Sequence, residues 1–160
     1  MQNHYPVPVT FRVFPFYVEE TKFEASNLEV LFYDDMLEAL NEPNRKPWQQ
    51  AKIYLPDLFE NWKQKKDQLI ELYSRRDRKL ANPIIVELIA QLIQIIHWMN
   101  EVPVKSLVQI DDKLLQLKYK PVNMNERLSF ILKDPDHFHS YNQLKALYDE
   151  AEKLFYKALT

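Results

Sequence analysis

The sequence predicts an all-α fold, a single-domain bundle of about five to seven helices around one buried central helix at residues 82–100. Three observations carry this expectation. The 160 residues contain no glycine, where average usage of roughly 7% would give about eleven. Glycine serves hairpin turns and left-handed caps, so its absence favours helices joined by Pro, Asn and Asp turns. The stretch NPIIVELIAQLIQIIHWMN is apolar almost all the way round a helix, which requires cover on most sides. Several flanking segments place a Glu or Gln three residues after a Ser, Asn or Asp and then repeat apolar residues at helical spacing, as amphipathic helices do.

In the central segment, Asn82 is a suitable cap for a first turn, and Pro83 suits the first helical position, where its missing N–H has no partner to lose. From Ile84 to Met99 the polar exceptions Glu87, Gln91 and Gln94 fall at i, i+4 and i+7, a single narrow row. A carboxylate on so apolar a helix must reach solvent or pair, and Arg75, Arg76, Arg78 and Arg127 are the expected partners. Such a pair is architectural unless the row lines a cavity. His97, three residues beyond Gln94, reads as a satisfied interhelical histidine rather than a base. The apolar span of about 16 residues falls short of the roughly 20 that a bilayer needs, so no membrane insertion is expected.

Residues 1–24 set Pro6, Pro8 and Pro15 among Tyr5, Phe11, Phe14, Phe16, Tyr17 and Phe23. Prolines so spaced favour an extended arm, expected to lie on the helical body and bury its rings, the alternative being insertion into a partner. It carries no basic region followed by an uninterrupted apolar core, so it is not read as a secretory signal. Ser26 with Glu29 opens a predicted helix with Leu28, Leu31, Phe32, Met36 and Leu40 inward and Tyr33, Asp34, Asp35 and Glu38 wet. Residues 41–46 form a turn. A short helical piece, Trp48 to Tyr54, ends at Pro56, and a long helix runs from Asp57 to Lys79 with Leu58, Trp62, Leu69, Tyr73 and Leu80 inward. Its apolar stripe is interrupted at Lys65 and Lys66. Beyond the central helix, Ser106 opens a helix using Leu107, Ile110, Leu114 and Leu117. Asn123 with Glu126 opens another with Met124, Leu128, Ile131 and Leu132 inward, and Ser140 with Gln143 opens the last, whose inward face carries Leu144, Leu147, Tyr148, Ala151, Leu154, Phe155, Ala158 and Leu159.

Composition excludes several chemistries. With no cysteine there are no disulfides, thiol nucleophiles or thiolate metal sites, which agrees with a cytoplasmic location. With no glycine the usual mononucleotide and dinucleotide phosphate loops are impossible. The net charge of −2 is unevenly spread, being −6 over residues 1–44, +5 over 45–79 and −1 over the rest. Only the middle third can serve as a footprint for phosphates. There Arg75, Arg76, Arg78 and Lys79 stand where the end of the long helix favours cations, with Lys63, Lys65 and Lys66 upstream. Asp67, Glu71 and Asp77 dilute them. The densest reactive cluster, residues 134–141, holds His137 and His139 two apart in a loop. That spacing can chelate a divalent metal if a carboxylate converges, and otherwise His139 and Tyr141 are expected to tie down the last helix through backbone hydrogen bonds.

The run Lys120-Pro121-Val122-Asn123, then Glu126-Arg127-Leu128, Phe130-Ile131-Leu132, Pro135, His139-Ser140-Tyr141 and Gln143-Leu144, resembles the YpoC-like family of Gram-positive bacteria. The resemblance implies an intracellular bacterial protein of unassigned function, from a family often encoded near genes for DNA repair, replication initiation and cell-wall synthesis. It supplies no catalytic residue and no cofactor. Asn123, Glu126, Arg127, His139 and Tyr141 are the positions it highlights. The leading expectation is a non-enzymatic interaction or adaptor domain whose partner is a protein, a second copy of this chain included. The alternatives are a nucleic-acid accessory protein using the basic end of the long helix, and a metal-dependent enzyme centred on His137 and His139.

Overall fold

In the computed structural model, which describes residues 3–159, the all-α expectation holds. Six α-helices, α1 (Tyr33–Ala39), α2 (Ala51–Ser74), α3 (Arg78–Met99), α4 (Ile110–Lys113), α5 (Met124–Lys133) and α6 (Phe138–Ala158), follow a small antiparallel ladder of β1 (His4–Pro6) and β2 (Lys22–Glu24). The apolar stretch of α3 dictates the arrangement. Every residue from Leu88 to Met99 except Gln91 is buried, and α2 and α6 pack against it. One cluster of buried side chains runs from Val7 in the arm to Phe155 in α6.

Two boundaries differ from expectation for one reason. Pro56 and Pro83 were expected to begin or end helices, and both lie inside one, at the sixth position of α2 and of α3. Interior proline costs about 3 kcal/mol, whereas one fully buried large apolar side chain contributes about 1.5–3 kcal/mol. Leu55 and Phe59 on either side of Pro56, and Ile85 after Pro83, are buried, so continuous helices win. The cap of α3 is therefore Asp77, which accepts from the Leu80 N–H at 3.2 Å, and not Asn82. Leu80, expected inside, is 56% exposed. The four cations expected at a helix end are split: Arg75 closes α2, Arg76 lies in the turn, and Arg78 and Lys79 open α3. At 22 residues α3 is long and apolar enough to cross a membrane, longer than the span read from sequence; 67% of its apolar window is buried inside the fold.

Four other caps are corrected. Ser26 opens no helix, because the 26–32 segment turns and α1 starts at Tyr33 behind a left-handed Phe32. Ser106 accepts from the Val108 N–H in a local turn, and α4 begins four residues later. Asn123 is left-handed and makes no side-chain cap, while α6 starts at Phe138, capped by the His137 ring. Ser140, fully buried, instead donates to the Asp134 carbonyl at 2.7 Å.

A chain without glycine still uses the left-handed conformation, at Phe32, Asn41, Lys46, Arg76, Glu101, Gln109 and Asn123. Three of these close helices in the same way. After α1, α2 and α3, the amides of Asn41, Arg76 and Glu101 bond back three residues, and the next amide bonds back five, to Leu37, Leu72 and His97 respectively. This satisfies carbonyls that a helix end leaves open, in a position where glycine normally avoids the Cβ penalty.

In the arm, Val7, Phe11, Phe16 and Phe23 are buried while Phe14 is exposed. Phe11 and Phe16 pack on Phe32 with ring centroids 5.8 and 5.2 Å away, and the Leu107 N–H donates to the Thr10 carbonyl at 2.8 Å. The arm thus reaches both the start of α1 and the segment before α4.

Candidate functional site

The polar row of α3 lines a cleft. Glu87, Gln91, Gln94 and Trp98 form one wall, and Leu58, Asn61 and Lys65 of α2, at i, i+3 and i+7, form the opposite one. The Leu28–Asp34 segment and Arg45 complete an opening of about 290 Å³, at the lower end of the range for ligand pockets. The two helical rows are complementary. Lys65 pairs with Glu87, and Asn61 donates to Gln91 at 2.7 Å one turn further along. The partner of Glu87 is therefore this lysine and none of the four arginines expected from sequence.

At the α1 end, two adjacent carboxylates expected to be solvated are both 1% exposed. They have different partners. Asp34 accepts from the Arg45 guanidinium at 2.6 Å and from the Arg45 N–H at 3.0 Å. Asp35, lying behind the cleft, has no cation partner among the described residues. It accepts from Gln94 at 2.8 Å, the Trp98 indole at 3.1 Å and the Val104 N–H at 2.8 Å. Burial pushes its carboxyl up to about 6 against the lowering effect of those three donors, with the Asp34 charge adding a little. His97, also buried, is pushed down to about 4, and its Nδ1 lies 2.7 Å from the Ile93 carbonyl of its own helix rather than reaching a neighbouring one. Tyr148 donates to the Leu88 carbonyl at 2.5 Å, and complete burial raises its phenol well above the ordinary value.

The other residues singled out from sequence lie elsewhere and do not converge. Arg78 is shared by Asp134 and Asp136 at the start of α3, where Asn82 also donates to Asp136 at 2.8 Å. Arg127 holds Glu150, Gln143 and the Val122 carbonyl, tying α5 to α6. Glu126 stands exposed in the first turn of α5, where the helix dipole favours it, and Asn123 and Arg75 are exposed as well. His139 stacks on His137 with ring centroids 4.9 Å apart and donates its N–H to the His137 ring at 3.1 Å. Tyr141 is buried against Trp62, Tyr73 and Phe138, and its hydroxyl has no partner among the described residues, contrary to the expected backbone bond. Among those residues no three His, Asp or Glu side chains are grouped to hold one metal ion.

Sequence reasoning found Glu87 and the row it heads but missed Asn61, Lys65, Arg45 and the two buried aspartates. One signal was present: the break in the α2 stripe at Lys65 has the same helical spacing as the polar row on α3 that it meets.

Residues 52–160 match the YpoC-like protein family. Over 111 residues the chain is 34% identical to the uncharacterized protein YpoC of Bacillus subtilis strain 168, an alignment spanning 69% of this chain and 68% of that one. No solved structure matches it. The α2 and α3 walls of the cleft lie inside the matched region, while the Leu28–Asp34 segment and Arg45 precede it. The chain belongs to the YpoC-like protein family.

Proposed function

We propose that the protein is a helical interaction module of the bacterial cytoplasm that holds a protein partner and performs no catalysis itself. The observation that supports this reading is the engagement of its reactive groups. Arg78, Arg127, Glu87 and Asp34 are each matched to an opposite charge on another segment and so join elements of the fold, and His97 is occupied by a carbonyl of its own helix. Apart from the exposed Glu29 carboxylate at the opening, what stays unengaged along the cleft is neutral amide surface, which suits recognition better than proton transfer. The cytoplasmic assignment is supported by the burial of the α3 apolar window and by similarity to a Bacillus protein.

The reading is tested by purifying the tagged protein from cells, remaking each co-purifying protein recombinantly and mixing the two purified components. One component should rebind stoichiometrically and remain bound at high salt. If none rebinds, the reading fails. Binding to duplex DNA that weakens steeply with salt and is lost in Arg75→Glu with Arg76→Glu would give the role to nucleic-acid association instead. A melting temperature raised by divalent ions in the native protein but not in His137→Ala would favour the metal-dependent alternative.

A further inference from the structure

The cleft offers hydrogen-bonding groups that the fold does not use. Gln94 is 7% exposed and donates its amide N–H to Asp35, which leaves its carbonyl oxygen, among the described residues, without a partner on the side that lines the cleft. Asn61 and Gln91 share one hydrogen bond, and whichever way their amides are turned, that bond uses one donor group and one acceptor. One carbonyl and one NH2 group therefore remain between them. A carbonyl beside an NH2 is the complement of a peptide group.

Spacing and charge narrow the occupant. Along α3, Glu87, Gln91 and Gln94 are separated by rises of about 6 Å and about 4.5 Å, a row about 10 Å long. An extended chain presents backbone groups on one side every two residues, about 6.6 Å apart, so three extended residues span the row. A planar base or a single sugar ring would gather its contacts within a shorter length. Each cation of the cleft already faces its own carboxylate, Lys65 with Glu87 and Arg45 with Asp34, and the exposed Glu29 carboxylate at the opening has no cation among the described residues, so the site carries no free positive charge to draw a phosphate or an acidic side chain and repels both.

We propose that the cleft between α2 and α3 holds an extended polypeptide segment free of acidic side chains, whose backbone amides pair with the free groups of Asn61, Gln91 and Gln94. This rests on the interaction reading and names the chemistry of the partner. The Leu28–Leu31 segment flanks the bound chain from the α1 side, and Leu58 supplies an apolar contact at the end of the α2 row.

The test is nitrogen-edited NMR of the side-chain amides in the intact protein, titrated to millimolar concentration with N-acetyl-trialanine N-methylamide, with adenosine and a neutral disaccharide run in parallel. The peptide should move the amide resonances of Asn61, Gln91 and Gln94, and Gln91→Met should weaken the response about tenfold, the equivalent of one lost hydrogen bond of about 1.4 kcal/mol. Asn61→Leu, on the opposite helix, gives the same test should Gln91→Met fail to fold. No movement with the peptide, movement spread over the outer surface, or a response to adenosine or the sugar alone would each overturn the proposal. If the peptide is silent while a recombinant partner still binds, the cleft assignment falls and the interaction reading stands.

Discussion

Two polar clusters touch α3, and they are built on opposite terms. At its first turn, Arg78 bridges Asp134 and Asp136 with a side chain 47% exposed, facing an Asp134 that is 55% exposed. Near its other end, Asp35 is 1% exposed and held by three neutral donors from α3 and the segment that follows it. The first is a cluster of full charges in water, where screening and side-chain entropy remove most of the attraction. The second has no opposite charge, but every one of its bonds replaces water in a place water does not reach. The number and sign of charges therefore mislead about which cluster holds the fold; desolvation decides.

The contrast can be broken by substitution, beginning with the largest effect. Asp35→Ala leaves the Gln94 amide, the Trp98 indole and the Val104 N–H unpaired at once, and should cost about 3–5 kcal/mol of stability, read as a lower urea midpoint with unchanged slope. A loss under about 1 kcal/mol would mean that Asp35 is not the keystone of the α1–α3 junction.

The pH response separates Asp35 of α1 from another buried titratable group, His97 near the end of α3. The Asp35 carboxyl is raised from 3.8 to about 6 in the folded chain, so it contributes stability below pH 4 that is lost as pH rises toward 6. His97 is lowered from 6.5 to about 4, so its contribution is present above pH 6.5 and is lost as pH falls toward 4. The two slopes, each about 1.4 kcal/mol per pH unit, oppose one another across nearly the same window. Stability of the native sequence should therefore be flat with respect to these two groups. Asp35→Asn should make it fall on acidification from pH 6.5 to 4.5, and His97→Leu should make it rise, as measured by urea unfolding at each pH. Identical profiles in both variants would contradict the burial of the pair.

Smaller effects come from the turn between α2 and α3. Arg76 occupies the left-handed position of a helix-closing turn with an exposed side chain, so Arg76→Gly should raise stability by about 0.5–1 kcal/mol despite removing a cation. Arg78→Ala, two residues on, should leave the melting temperature within replicate scatter although it deletes two ion pairs, which is the sharpest contrast to Asp35.

Much of the architecture was legible because it rests on apolar periodicity. The α3 core stripe, the inward faces of α5 and α6 and the burial of arm rings such as Phe11 and Phe23 follow from spacing and from the cost of wet apolar surface. Boundaries were less legible because capping signatures are local and tertiary burial overrides them: Pro56 and Pro83 sit inside helices, and Asn82, Ser26, Ser106 and Ser140 cap no helix, whereas α5 does begin directly after Asn123, without its side-chain bond. The cleft was half legible. Glu87, Gln91 and Gln94 stood out against an apolar helix, but Lys65 and Asn61 read as ordinary surface until α2 is laid beside α3. Asp34 and Asp35 were unreadable because adjacent acids on an acidic segment look solvated, and only the arrival of Arg45, Gln94, Trp98 and Val104 from distant positions makes their burial tolerable.

The central claim is that the Asn61 and Gln91 amides between α2 and α3 serve the cleft and not the fold. Equilibrium urea unfolding of the double variant Asn61→Leu with Gln91→Leu tests it most directly, since replacing both members of a hydrogen-bonded pair by apolar groups of similar size is close to neutral where neither is needed for packing. The account predicts a midpoint equal to or above that of the native sequence. A loss comparable to that of Asp35→Ala would show that the row holds the helices together and would contradict it.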